Sequence, residues 1–160
     1  MLTVKLICVG KMREKYYTEA FAEYAKRLGA YCRFECQELA EQRLPEVPSA
    51  SEIAAALEKE GAEILKAVPE GSWLVALCVE GKSFSSEDVA RLISSRADSG
   101  RPKLCFVIGG SFGLSPAVKQ RADFKLSFSP MTFPHHLARV MLAEQIYRGF
   151  KINEGSRYHK

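Results

Sequence analysis

No apolar run in this sequence approaches the roughly 20 residues that a membrane-crossing helix needs. It also has no low-complexity tract, internal repeat or linker that would split the chain, which predicts a single domain over residues 1–160. Histidine is scarce, at three residues, and none completes a zinc pattern with the CxxxC pair Cys32 and Cys36, so no metal is expected. A Walker loop ending in Gly-Lys-Ser/Thr is missing, as is a GxGxxG fingerprint, and with them the evidence for a phosphate-handling α/β enzyme. There is no RNP-type aromatic segment either. Charge of neither sign dominates: 23 Lys and Arg against 19 Asp and Glu leave +4, compatible with an RNA partner without being diagnostic of one.

What is present is globular material, 47% hydrophobic and 26% charged over 160 residues, which suits one core and argues against disorder. The opening MLTVKLICVGKMREK places its basic residues mostly after a strand-length apolar run. That order is wrong for a secretion signal and predicts a cytoplasmic protein. Of the five cysteines, Cys8, Cys78 and Cys105 sit in apolar, strand-like runs where a reduced thiol behaves as a small hydrophobe. All five are expected to be free structural thiols.

Strand-like runs alternate with amphipathic, helix-like ones. The strands are expected at 2–10, 31–39, 73–79, 103–110 and 123–130, the helices at 15–29, 52–68, 85–97 and from about Pro134. Gly29 reads as a C-terminal helix glycine, and Ser85 with Asp88 as a capping box. Leu137, Val140, Met141 and Ile146 are the core candidates of the last helix, with Arg139 on another face. This rhythm predicts an α/β fold, a mostly parallel sheet with helices on both faces. Ligands of such sheets bind beyond the carboxyl ends of the strands. Three loops qualify: VEGKS, GGSFGLSP and the proline-bracketed SPMTFP. Glycines 81, 109, 110 and 113 allow close backbone approach there, either to a ligand or simply within a tight turn.

The ordered set LCVEGKSFSSE, FVIGGSFGLSP, LSFSPMTFPHHLARVMLAEQIYRGFKI and the terminal RYHK resembles the RlmH (YbeA-type) family of SPOUT-class methyltransferases, essentially end to end and most strongly over 74–160. The resemblance implies a C-terminal deep trefoil knot over about residues 74–160 and a bent S-adenosylmethionine held inside it. The reaction implied is methyl transfer to N3 of a pseudouridine in 23S ribosomal RNA within the assembled ribosome. Carried over by position, Leu77, Gly110, Ser129, Pro130, Met131, Thr132, Phe133 and Pro134 are the expected cofactor-binding residues. Relatives commonly carry GGPEG where this chain has GGSFG, which leaves any role of Phe112 open. An alternative is a non-catalytic ribosome-associated RNA-binding protein of the same fold, and the GGSFG departure is its only hint.

The imide N3 holds a proton at neutral pH, so a group must accept or relay it. His159 is the first candidate, Tyr158 a stacking or hydrogen-bonding neighbour, and Arg139 and Arg157 sources of positive charge that would favour the imide anion. His135 and His136 are read as bordering the cofactor loop rather than as bases. The family resemblance further implies a homodimer in which the tail of one subunit serves the other. Lys11, Arg13, Lys15, Lys82, Arg101 and Lys103 lie near loops where phosphates can be met, although scattered basic residues are more often plain solvated surface.

Overall fold

The continuous apolar runs become the inner strands of one sheet. The computed structural model describes residues 1–160. Strands β1 (Thr3–Val9), β2 (Arg33–Leu39), β3 (Trp73–Ser83), β4 (Lys103–Ile108) and β5 (Phe124–Ser127) lie in the order β2-β1-β4-β3-β5, and every pairing is parallel. Parallel neighbours need crossovers rather than hairpins. Helices α1 (Lys15–Leu28), α2 (Ala50–Ala67), α3 (Ser86–Ala97) and α4 (Pro116–Arg121) supply them, and α5 (His135–Asn153) follows the last strand. The α/β expectation is met.

Helices on both faces divide the core in two. Val4, Leu6, Phe106 and Ile108 pack with Leu28 of α1, Ile93 of α3 and Leu142 and Ile146 of α5. Ile7, Val9, Leu74 and Val107 pack on the other face with Ile64 of α2 and Val118 of α4. β4 is central, so both of its faces are covered, which is why Leu104 through Ile108 are all buried and read as an unbroken apolar run.

Local chemistry sets the helix starts. Ser49 and Ser85 each accept a hydrogen bond from the backbone three residues on, and Glu52 and Asp88 return the bond, two complete capping boxes. α4 begins at Pro116, with the Ser115 hydroxyl accepting from Val118 N. Gly29 ends α1 as expected, with φ −58° and so without the left-handed conformation such glycines often take.

Two expectations are corrected. The VEGKS segment is not a loop after β3. The strand continues to Ser83, and its register against β5 jumps between Leu77 and Lys82, so residues 78–81 bulge outward. On α5 only Ile146 of the four expected core residues is fully buried. Arg139 (1% exposed) is buried with Leu142, Ala143 and Ile146, while Leu137, Val140 and Met141 are only half-buried. No helix is long and apolar enough to cross a membrane.

Candidate functional site

Three loops distant in sequence meet at the carboxyl edge of the sheet. The β3 bulge, the turn after β4 and the link from β5 to α5 enclose a groove of about 730 Å³, within the range of small-molecule sites. Leu77, Gly110, Ser129, Met131, Thr132, Phe133 and Pro134 line it. Of the expected cofactor residues, only Pro130 does not reach the wall; it is exposed at the outer side of its loop.

Bare backbone is required at two points. Gly113 takes φ +83° and its N–H donates to the Gly110 carbonyl at 3.1 Å, closing a turn over Ser111 and Phe112. A Cβ on Gly109 would collide with the Gly113 carbonyl. The turn thus folds back onto the strand end and brings glycine backbone into the groove wall. At the rim, Phe112 and Met131 remain 49% and 70% exposed, an unusual placement for large apolar groups and a fitting one for covering a flat ring.

Sequence reasoning passed over several groups at this groove. Lys119 of α4 pairs with Glu80 of the bulge at 2.5 Å, which holds the Glu80 carboxyl below its ordinary value. Glu41 accepts from both the backbone N–H and the hydroxyl of Ser111 at 3.2 Å, tying the segment after β2 to the glycine turn. None of these carries a short-range signal, because the partners lie far apart along the chain.

His135 also lines the groove, stacked edge-on against His136 at 4.3 Å between centroids. His136 Nδ1 in turn meets Glu14 at 3.0 Å. Burial, then the neighbouring His136, push the His135 pKa below its ordinary value; Arg139 adds to this, while Glu41 and Glu14 oppose it. The folded state therefore binds fewer protons than the unfolded one below about pH 6.5, so stability is lost as pH falls from there. Urea midpoints measured from about pH 7 to pH 5 are expected to decline, and His135→Gln is expected to flatten that decline.

The remaining predicted residues lie elsewhere. Arg139 is no free charge beside a substrate. Its guanidinium donates to Glu38 at 2.6 Å, to the Gly10 carbonyl at 2.6 Å and to the Val9 carbonyl at 3.2 Å, which fastens α5 to the end of β1. Tyr158 and His159 are absent from the groove wall of their own chain, and they do not trail into solvent either. Tyr158 donates to Glu144 at 3.2 Å, stacks edge-on with Tyr147 and carries the Arg148 guanidinium over its ring. Burial, then Glu144, push its phenol up to about 12. His159 sits between Arg148, 3.1 Å from Nδ1, and Glu87, 2.8 Å from Nε2. A guanidinium only donates, so Nδ1 accepts and the ring proton is on Nε2, facing Glu87. Arg157 is exposed. The structure gathers no group of three His, Cys, Asp or Glu side chains able to hold a metal ion.

A parallel sheet in this order, with a glycine-floored groove at its carboxyl edge, is the architecture of a known class. A family model described as "Predicted SPOUT methyltransferase" matches residues 2–159. A solved structure of a probable methylase family protein from Haemophilus influenzae superposes with a TM-score of 0.54 at 13% identity, over 98% of this chain and 70% of that one. The class is that of the SPOUT methyltransferases. Proteins called "Ribosomal RNA large subunit methyltransferase H" from Ligilactobacillus salivarius and Bacillus pumilus are 47% and 48% identical over 159 residues, covering 99% of this chain and all of theirs. The chain belongs to that family of ribosomal RNA methyltransferases, as the resemblance over LCVEGKSFSSE, FVIGGSFGLSP, LSFSPMTFPHHLARVMLAEQIYRGFKI and the terminal RYHK implied.

Proposed function

We propose that this protein is a single SPOUT domain, threaded as a trefoil over about residues 74–160, that methylates N3 of a pseudouridine in 23S ribosomal RNA on the assembled ribosome, with S-adenosylmethionine as donor. The observation that carries the reading is the convergence of Leu77, Gly110, Ser129 and Met131–Pro134 on one groove. Their chemistry fits the donor. The glycine backbone at 109–110 in the groove wall accepts close contact, and the exposed Phe112 and Met131 could cover an adenine. S-adenosylmethionine would supply a methyl group already activated by its sulfonium.

The chain's own work is then positioning and proton handling. The loops around the groove fix the direction of transfer and exclude water. His159 takes the N3 proton at Nδ1 once the Arg148 guanidinium that donates to that nitrogen has swung away, while Glu87 holds Nε2–H and so the ring's orientation. Tyr158 stays protonated and offers a ring face and a hydroxyl to the base.

The site is completed by a second copy. Leu137, Val140 and Met141 leave an apolar stripe on α5, and Val140 and Met141 line, with Phe84 and Phe128, a second groove of about 500 Å³. An unpartnered stripe of this kind suits a homodimer. The tail lies on α5 and at the start of α3 beside it, away from its own groove; as the family resemblance implies, the His159 of one protomer serves the groove of its partner. A ribosome substrate places the enzyme in the cytoplasm.

Methyl transfer from tritiated S-adenosylmethionine to ribosomes lacking the modification tests this reading. Label is expected in 23S pseudouridine on 70S particles and not on free 50S subunits. His159→Ala should lower the rate by about 100-fold while calorimetric cofactor binding is kept. Full activity in His159→Ala would remove that residue as the base. Absence of label on either particle, with cofactor still bound, would favour the non-catalytic ribosome-binding reading.

A further inference from the structure

Gly110 is bare for a reason that lies behind the groove. A Cβ there would meet Glu41 Oε1 at 2.7 Å and Val9 at 3.4 Å, so the open side of this glycine is turned to Glu41, a residue absent from the groove wall. The same oxygen accepts from the backbone N–H and the hydroxyl of Ser111, both at 3.2 Å. One carboxylate oxygen thus contacts the first two residues of the turn that the Gly113 N–H closes onto the Gly110 carbonyl.

The other oxygen is turned to the start of α5. A Cβ on Gly10 would lie 3.4 Å from Glu41 Oε2, 3.8 Å from His135 Nε2 and 4.0 Å from an Arg139 nitrogen, so the three groups gather at the end of β1. His135 begins α5 directly after the SPMTFP loop. Glu41 therefore stands between the glycine turn and the third loop of the groove. Its own segment is anchored from behind. The next residue, Gln42, donates its backbone N–H to Glu60 of α2 at 2.8 Å, and Glu60 is 7% exposed. Fixing an exposed glutamate costs side-chain entropy, and the contacts that offset it here fall on the site loops and the strand end beside them.

We propose that Glu41 is a positioning residue for the methyl donor. Its carboxylate holds the Gly110–Ser111 end of the turn, and with it the wall that receives S-adenosylmethionine, without touching the donor. The assignment rests on the reading that the groove binds this donor. Glu41 acts through its acceptor oxygen rather than its negative charge, since both contacts to Ser111 are hydrogen bonds that a neutral amide oxygen also accepts. Gly110 belongs to the same unit. A methyl group there would push the carboxylate aside and undo the same two bonds.

Titration calorimetry of the full chain with S-adenosylmethionine tests this. Glu41→Ala is expected to weaken binding about tenfold, the loss when a loop gives up two hydrogen bonds to a charged acceptor. Its Tm should hold, because Glu41 and Ser111 are both exposed. Glu41→Gln should recover most of the affinity. Gly110→Ala should match Glu41→Ala, and the double variant should bind no more weakly than either, because both changes remove one interaction. In methyl transfer, Glu41→Ala should raise KM for the donor by the same factor and leave kcat at saturation unchanged. Wild-type affinity in Glu41→Ala would overturn the proposal. So would a Glu41→Gln variant as weak as Glu41→Ala, which would place the effect in the charge, or additive losses in the double variant. Failure of the wild-type protein to bind S-adenosylmethionine would overturn the reading of the groove itself, and the proposal with it.

Discussion

Replacing Arg139 with methionine is expected to cost about 3–5 kcal/mol of folding stability, the range for removing one partner of a buried charge pair. Methionine fills most of the volume but leaves the Gly10 and Val9 carbonyls without the guanidinium that donates to them. A stranded buried acceptor alone costs about 1–3 kcal/mol. Glu38 is partly exposed, and its carboxylate can turn to water, which keeps the total near the lower end of that range. At about 2–4 °C per kcal/mol for a chain of this size, Tm should fall by roughly 10 °C. Arg139→Lys should recover little of this, because an ammonium lacks the fork that reaches a carboxylate and two carbonyls at once. Glu38→Gln should cost about 2–3 kcal/mol, because it leaves the buried Arg139 guanidinium without its counter-charge although the amide oxygen can still accept from it. Thermal unfolding of the three variants checks the order. If Arg139→Met instead kept its Tm and lost methyl transfer, the residue would return to the expected role of a positive charge favouring the imide anion.

Gly109→Ala is expected to weaken S-adenosylmethionine binding by about 10–100-fold, the effect of roughly 1–3 kcal/mol of overpacking confined to one loop. The new Cβ meets backbone, the Gly113 carbonyl, and cannot be accommodated by turning a side chain. Either the Gly110–Gly113 turn opens, breaking its closing hydrogen bond, or the end of β4 shifts. Both move the groove floor. Gly100→Ala is the matched control. Nothing lies within 4 Å of a Cβ there, so binding should be unchanged. Titration calorimetry on the two variants separates a loop effect from a general loss of glycine. Equal affinity in both would mean that the donor does not touch the glycine turn.

Much of the scaffold was legible in the sequence. The run Leu104–Ile108 is apolar at every position because both faces of a central strand are covered, and no structure was needed to see it. Ser85 and Asp88 announced the start of α3 through a hydrogen-bond exchange spanning three residues. The site loops were legible for another reason. Family resemblance over the segments around Leu77, Gly110 and SPMTFP assigned residues that the groove then brought together, Pro130 excepted. The α5 face was misread. A helical period shows which residues share a stripe but not which stripe faces inward, and a buried arginine among aliphatic residues breaks the rule that charge points out.

By itself the sequence determined the parallel α/β architecture, the capped start of α3 and, through its resemblance, the methyltransferase family, because each depends on neighbours along the chain or on a matching order of segments. Only the tertiary structure decided that β3 bulges into the groove, that Arg139 fastens α5 to β1, that Tyr158 and His159 dock on α5 and α3, and that Glu41 reaches the glycine turn. Each of these joins residues from separate elements. Their energies come from desolvated charge, directed hydrogen bonds and steric contact, which act over a few ångströms in space whatever the separation in sequence.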